Sequence, residues 1–384
     1  MTSISAALIV RDEAAFIEDC LRSLIGNVDE IVLVDTGSRD RTVEIASRFP
    51  VKLDHFAWCD DFSAARNFAL ERASGDWILY IDADERLEIP DRDAFRSMLS
   101  DRGKVAWTLR LHPRVGWTAY SELRVFRNDP RIRFEGVIHE NPWSGIAAVA
   151  AADGLAVGTG DCTLHHVGYE GDQRPKNARN IPLLRALLAR APEHLFCWWH
   201  LGECLRLAGD HAGADEAWRN GIERLRALEP ERQHLRDSIL YLALLKHRHG
   251  RGIDTDALTA EATALFPANI ALQLMSAQIA IDRGNIELAQ PILERLAAID
   301  GDVFFEPEIA YDKALFAHLP AELLGLCHFR RGRFDQAARL YRLAALSSPA
   351  PTACELKARL ADLRALEHFQ EKWNPVFRPK MRQT

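Results

Sequence analysis

Two aspartates one residue apart, Asp82 and Asp84, close an apolar run, Gly75-Asp76-Trp77-Ile78-Leu79-Tyr80-Ile81. The run reads as a buried strand. In an open α/β sheet, ligands collect beyond the carboxyl ends of the strands. Side chains alternate along an extended chain, so both carboxylates would share one side there. Their oxygens suit hard cations such as Mg²⁺ and Mn²⁺, which commonly share such ligands with substrate phosphates. The pair therefore predicts an enzyme that handles a phosphorylated donor through a metal. A bare acidic pair is common on solvated turns, and it is the preceding apolar run that lifts this one above that. Glu85 reads as a further ligand or, by preference, as a charge at a helix N-terminus.

Other acids end other strands. The first predicted strand runs into Val10-Arg11-Asp12-Glu13, and the second into Val34-Asp35-Thr36-Gly37-Ser38. Three acidic strand ends would converge on one edge of a parallel sheet. Asp35 is placed to bind a base or a ribose hydroxyl, as acids do at dinucleotide sites, or else to start a turn. Asp12 and Glu13 could serve the same ligand or cap a helix. Arg66 lies one turn into the segment Asp60-Asp61-Phe62-Ser63-Ala64-Ala65-Arg66-Asn67, where it could reach a pyrophosphate or pair with Asp61.

The elements that must position these residues alternate. Strands are predicted at 4–10, 30–35 and 51–58, and helices at 13–25, 41–48 (capped by Asp40) and 62–73, before the strand that ends at Asp82. Such alternation predicts a parallel sheet covered on both faces. From about Val105 the pattern changes to strands or loops at 105–111, 123–127, 132–138 and 154–165 without intervening helices, a mixed extension that could carry the acceptor side of the site. Gly171-Asp172-Gln173-Arg174-Pro175 reads as a hinge. Beyond it the chain is helical, and tetratricopeptide spacing recurs. Trp198, Leu201, Gly202, Gly209, Ala214 and Trp218 form one copy. Leu324, Gly325, Gly332, Ala337, Tyr341 and Pro349 form another, and Gly284, Ala289 and Leu293 a weaker one. These predict a short solenoid over about 190–350 with a capping helix around 353–368. The expected domains are 1–170, a connecting segment 171–190, and repeats over 191–384.

Bulk properties narrow the class. A chain of 384 residues with a formal charge of -7 is long enough for two or three domains and is no general nucleic-acid binder. Its seven cysteines include no CxxC pair and read as reduced buried thiols. The start carries no signal-peptide pattern, and no apolar run approaches the roughly 20 residues needed to span a bilayer. A soluble, cytoplasmic protein is expected. No P-loop appears, and Gly158-Thr159-Gly160 lacks the remainder of a dinucleotide fingerprint.

Taken in order, Leu8-Ile9-Val10-Arg11-Asp12-Glu13, Val34-Asp35-Thr36-Gly37-Ser38-Arg39-Asp40-Arg41-Thr42, Trp58 to Asn67 and Gly75 to Glu85 resemble family 2 glycosyltransferases. The motifs cover about the first 90 residues densely. They are most similar to the branch that joins this domain to tetratricopeptide repeats, which includes bacteriocin S-glycosyltransferases; related single-domain members build lipopolysaccharide core. The resemblance implies a GT-A fold, a Rossmann-like mixed sheet with helices on both faces, here followed by an all-α tetratricopeptide-like solenoid. It also implies a nucleotide-diphosphate-sugar donor, a Mn²⁺ or Mg²⁺ ion and inversion at the anomeric carbon. Asp12 and Asp35 match positions that hold the nucleoside, and Asp82 and Asp84 match the metal pair. Arg11-Asp12-Glu13 departs from the family, which often has Asn before the Glu.

Inversion needs a group to take the acceptor's proton. The segment Phe134-Glu135-Gly136-Val137-Ile138-His139-Glu140 resembles the family's His-Glu segment and offers three. Glu140 is the first choice, with Glu135 and His139 behind it; in a regular strand Glu135 and His139 would face opposite ways. His166, in preference to His165, could complete the metal shell, since Mn²⁺ accepts imidazole. The expected function is a metal-dependent inverting transfer from a nucleotide-diphosphate sugar, a UDP-hexose first, to a peptide or protein presented by the repeats. The alternatives are a lipopolysaccharide or lipid-linked acceptor, and a repeat scaffold with an inactive catalytic domain. A homodimer is compatible with all three.

Overall fold

A computed structural model describes residues 2–168 and 174–373. The first elements alternate as the apolar pattern predicts: β1 (Ile4–Val10), α1 (Ile17–Leu24), β2 (Glu30–Asp35), α2 (Thr42–Ala46), β3 (Lys52–His55), α3 (Phe62–Leu70) and β4 (Trp77–Tyr80). Then follow β5 (Glu85–Glu88), α4 (Arg92–Leu99), β6 (Lys104–His112), β7 (Tyr120–Arg127), α5 (Trp143–Asp153) and β8 (Ala156–His166). The eight strands form one sheet in the order β3-β2-β1-β4-β7-β6-β8-β5. Neighbours among β3, β2, β1 and β4 are parallel, so all four end at one edge. Strand β7 joins β4 antiparallel and begins the mixed half.

Alternation along β1 sorts the core onto two faces. Ile4, Ala6, Leu8 and Val10 pack with Ile17, Cys20, Leu21 and Leu24 of α1 and with Phe95 and Leu99 of α4. Ala7 faces the other way, with Val32 and Val34, against Ala69 and Leu70 of α3 and Ile146 and Val149 of α5. The expected mixed sheet with helices on both faces is therefore what forms.

Three local expectations are corrected. Residues 132–138 form no strand; a single antiparallel bridge joins Glu135 to Asn141 and closes a loop, because Gly136 and His139 take left-handed backbone angles that no ladder accommodates. A helix, α5, does intervene before β8; its alanine-rich run has no strand alternation, and it ends at Gly154 with φ 67°. Glu85 begins a strand rather than a helix, since Glu85 to Glu88 pair with Thr163 to His166.

The remaining elements are helices: α6 (Arg174–Arg190), α7 (Leu195–Leu207), α8 (His211–Arg226), α9 (Ile239–His249), α10 (Asp256–Leu265), α11 (Ile270–Asp282), α12 (Ile286–Ala297), α13 (His318–Arg330), α14 (Phe334–Ala345) and α15 (Pro351–Trp373). The expected hinge falls largely outside the described residues, since Gly171, Asp172 and Gln173 are not among them. Arg174 and Pro175 already belong to α6.

The repeat copies become three helical hairpins, α7–α8, α11–α12 and α13–α14. In the first, a Cβ at Gly202 would stand 2.2 Å from Trp218 Nε1, and in the third a Cβ at Gly325 would stand 2.8 Å from the Tyr341 ring. Glycine is required where the large ring of the second helix presses on the first. In the weaker copy the equivalent residues, Ala277 and Leu293, share one core cluster, and the smaller Leu leaves room for a methyl group. Gly209, Gly284 and Gly332 turn the three hairpins at φ of 85°, 80° and 71°. By compactness the chain forms two units, residues 1–243 with 305–310, and residues 244–304 with 311–384. The change of sequence character near 171–190 thus precedes the division between compact units.

Candidate active site

The loops beyond β1, β2, β4 and α5's entry carry the predicted residues. Among the described residues three non-glycine residues, Asp12, Asp60 and His139, have positive φ (56°, 58° and 54°); Asp12 and His139 lie in these loops, and Asp60 in the loop from β3 to α3. Non-glycine residues occupy this region at an energetic cost and gather at functional sites.

Asp82 and Asp84 do not lie on an extended chain. Glu85 N–H donates to Asp82 O at 3.0 Å and closes a turn that sends the two carboxylates to different partners. Asp82 Oδ1 accepts from an Arg66 terminal nitrogen at 2.7 Å. Arg66 Nε donates to Glu140 Oε1 at 2.5 Å. One buried guanidinium therefore ties the candidate metal ligand to the candidate base. It also lies 5.3 Å from the Tyr80 ring centre and 5.5 Å from that of Phe134, cation–π distances. Burial works against ionisation of Asp82, but Arg66 and Arg124 outweigh it and hold the carboxyl below its ordinary range.

Arg66 is set on α3, whose N-terminus Asp61 caps by accepting from Ala64 N–H at 3.1 Å. Asp61 is thus a cap, and Arg66 finds its acids elsewhere. Asn67, the next residue, donates to Phe134 O at 2.9 Å and accepts from Phe134 N–H at 2.8 Å. That double bond fixes the 134–141 loop against α3 and delivers Glu140 to Arg66. The other two candidates point away from this pair. The Glu135 side chain is exposed, and its backbone bonds Asn141 in both directions. His139 Nε2 lies 2.5 Å from His200 Nδ1 on α7, with its ring edge-on to Phe196 at 4.9 Å. Burial pushes the His139 imidazole down to about 3.

Asp84 Oδ2 lies 3.2 Å from His166 Nε2. Gly168 presses against this carboxylate so closely that a Cβ there would stand 2.0 Å from Oδ2. Burial disfavours the His166 imidazolium, but Asp84 outweighs it and raises the pKa. His165 faces elsewhere, bonded to Glu88 Oε2 at 2.6 Å and stacked on His112 at 5.2 Å. Of the two histidines, only His166 meets the acidic pair.

A divalent ion can be tested against this set. Two ligands of an octahedral ion with bonds of about 2.1 Å stand roughly 3 Å apart, close to the Asp84–His166 separation. The ion would have to displace the proton His166 favours. Asp82 Oδ1 is engaged by Arg66, so Asp82 would offer its other oxygen. Among the described residues no three His, Cys, Asp or Glu groups gather closely enough to hold an ion by themselves. The set fits an ion that substrate phosphate oxygens help to hold.

Asp35 and Asp12 shape one loop. Asp35, at the end of β2 and buried, accepts from Gly37 N–H at 3.2 Å and from Ser38 N–H at 3.1 Å, with His55 Nδ1 at 3.4 Å. Asp12 Oδ1 accepts from Arg39 N–H at 2.7 Å and Asp40 N–H at 3.3 Å. Glu13 N–H donates to Thr42 Oγ1 at 2.7 Å, and Glu13 O receives the first bonds of the turn leading to α1. Together they pin residues 36–40 across the ends of β1 and β2.

Sequence reasoning missed Arg124. It grips Glu85 with two bonds, at 3.0 and 2.7 Å, and both side chains are buried. Glu85 Oε2 in turn accepts from Asp82 N–H at 2.9 Å. The pair is the floor under the acidic turn. Its signal was available: a lone Arg inside Leu123-Arg124-Val125-Phe126 has to meet a buried acid.

Comparison with known proteins agrees with this architecture. Residues 5–140 match the model of glycosyl transferase family 2. A TPR repeat-containing protein of Synechococcus elongatus is 39% identical over 67% of this chain and 64% of its own length. The SPbeta prophage-derived glycosyltransferase SunS of Bacillus subtilis is 26% identical over 64% of this chain and 60% of its own. The lipopolysaccharide core biosynthesis glycosyltransferase LpsC of Rhizobium meliloti is 32% identical over 29% of this chain and 42% of its own. The chain spans less than two thirds of the length of these relatives. Residues 5–140 are similar to glycosyl transferase family 2, and tetratricopeptide-like helical hairpins follow them in the chain.

Proposed function

We propose that this chain is a metal-dependent, inverting glycosyltransferase that moves a sugar from a nucleotide-diphosphate donor, a UDP-hexose in the first instance, to a peptide or protein acceptor. The observation that carries the reading is the Arg66 bridge between Asp82 and Glu140. In this reading Glu140 accepts the acceptor's proton as the acceptor atom bonds to the sugar carbon. The bond from that carbon to the diphosphate oxygen breaks on the opposite face. A divalent ion, when bound, neutralises the leaving diphosphate; Asp84, His166 and the remaining oxygen of Asp82 are the residues that would hold it. Arg66 has donors left over for a diphosphate oxygen. Asp12, Glu13 and Asp35 shape the 36–40 loop over the nucleoside, and Asp35 is the residue proposed to touch it. Glu135 and His139 rank behind Glu140 because their side chains face elsewhere.

The repeats support a polypeptide acceptor, since stacked hairpins form extended binding surfaces. The similarity to a lipopolysaccharide core enzyme keeps a saccharide acceptor as the second reading. The test is a melting-temperature screen of nucleotide sugars with and without Mn²⁺. UDP-hexoses should raise the melting temperature only when the ion is present, and Asp82→Asn should abolish the gain. A scaffold with an inactive domain would respond to none, and a gain that Asp82→Asn and Asp84→Asn leave intact would reject the metal role.

A further inference from the structure

Helix α15 turns small residues inward and leucines outward. Cys354, Ala358 and Ala361 are buried in the clusters formed with α13 and α14. Leu356, Leu360, Leu363 and Leu366 are 60, 49, 58 and 61% exposed. At about 100° per residue the centre of the leucine stripe lies opposite the centre of the buried face. A helix packed on one face ordinarily shows polar residues on the opposite one. This one shows a stripe of four leucines, a size and pattern that mark an interaction site more often than a bare surface.

We propose that the stripe binds α15 of a second copy of this chain, antiparallel, about a twofold axis at Leu363. A twofold contact must be complementary to itself, and the spacing about Leu363 is. Three residues to either side stand Leu360 and Leu366, which would meet across the axis. Four residues to either side stand Arg359 and Glu367, which would pair. Among the described residues Arg359 has no ion partner and Glu367 is engaged only by the exposed Arg364, at 2.9 Å. A parallel pairing would set Arg359 against Arg359, so charge selects the antiparallel register. Four leucines and their flanks fall short of the roughly 800 Å² per partner of a standard interface, so the dimer belongs near the micromolar range. The proposal is independent of the sugar-transfer reading, because none of these residues belongs to the sheet edge.

The test is sedimentation of the full chain from roughly 1 to 100 μM. The mass should rise to twice that of the monomer. Leu363→Glu should raise the dissociation constant about tenfold or more, with unchanged circular dichroism, since the position is solvent-exposed. Arg359→Glu and Glu367→Arg should each weaken the dimer, and the double variant should regain it. A monomer at every concentration, a dimer indifferent to Leu363→Glu, or a double variant no better than either single would overturn the proposal. So would a monomer that binds phosphatidylglycerol vesicles through the same leucines.

Discussion

At the carboxyl edge of the parallel strands, ionisable groups point inward. Arg66, Glu85 and Arg124 are each less than a tenth exposed. In the helical repeats the ion pairs sit on the outside, as with Arg206 and Glu203, 39 and 25% exposed. Backbone strain divides the same way. Among the described residues the three left-handed non-glycine residues all belong to the α/β part, and in the repeats only glycines take such angles. A buried ion pair contributes little net stability and is costly to break, and strained residues persist only where their surroundings hold them. One region therefore spends stability on placing charge. The other is built from local helix contacts and tolerates change.

The largest effect that would sharpen this contrast is chemical. Glu140→Gln keeps the shape and the hydrogen-bonding oxygen for Arg66 but removes the proton acceptor. Transfer should fall about 10²–10⁴-fold in kcat, while donor affinity measured by calorimetry stays the same. A variant with wild-type turnover would move the base elsewhere and leave the Arg66 bridge structural.

The next is energetic. Arg124→Met leaves Glu85 buried and unpaired, at a cost of about 3–5 kcal/mol in denaturant unfolding. Adding Glu85→Leu should recover most of it. Breaking an exposed repeat pair, with Arg206→Ala, should cost no more than about 1 kcal/mol. Equal losses from the two regions would erase the distinction.

The repeats have one intolerant feature, their glycine-to-ring contacts. Gly202→Ala should cost about 1–3 kcal/mol, since the added methyl overlaps Trp218. Trp218→Leu in the same chain should relieve it, reproducing the Ala277–Leu293 pairing of the weaker copy. If Gly202→Ala is neutral, the glycine is a matter of helix spacing alone.

What was legible in the chain follows the same division. Parallel strands buried on both faces are continuous apolar runs, so β1, β2 and β4 and the acids that end them could be read directly. The repeats were legible because the glycine and its ring recur at fixed spacing. The segment 132–141 was not. Its apolar residues alternate like a strand, but its conformation is set by Asn67, far away in sequence, and by the left-handed turns at Gly136 and His139. The direction of Glu140 was legible as chemistry but not as geometry, since the partner it meets depends on that loop. Arg124 escaped because its acid, Glu85, lies 39 residues away in sequence, although its apolar neighbours mark the position as buried.

The smallest effect concerns His139, which lies on the loop that carries Glu140. Its imidazole is pushed down to about 3 by burial and then by His200, whose own value burial also lowers. In the unfolded chain it would titrate near 6.5. Between those values the unfolded chain binds a proton that the folded one refuses. The stability this neutral imidazole contributes is complete above pH 6.5 and is lost as pH falls toward 3. Depressed carboxylates such as Glu30, held to about 2, act lower, beneath an ordinary value of 4.5. In the interval from 6.5 to 4.5 the lowered histidines therefore act against Glu85, whose carboxyl burial pushes up to about 7. The share of His139 there is a fall in melting temperature of about 5 °C. His139→Asn, which tolerates the left-handed backbone and does not titrate, should flatten that slope whatever it does to the absolute value. An unchanged slope would mean that the His139–His200 contact opens to water before the protein unfolds. The 134–141 loop would then be held to the sheet edge by Asn67 and Arg66 alone.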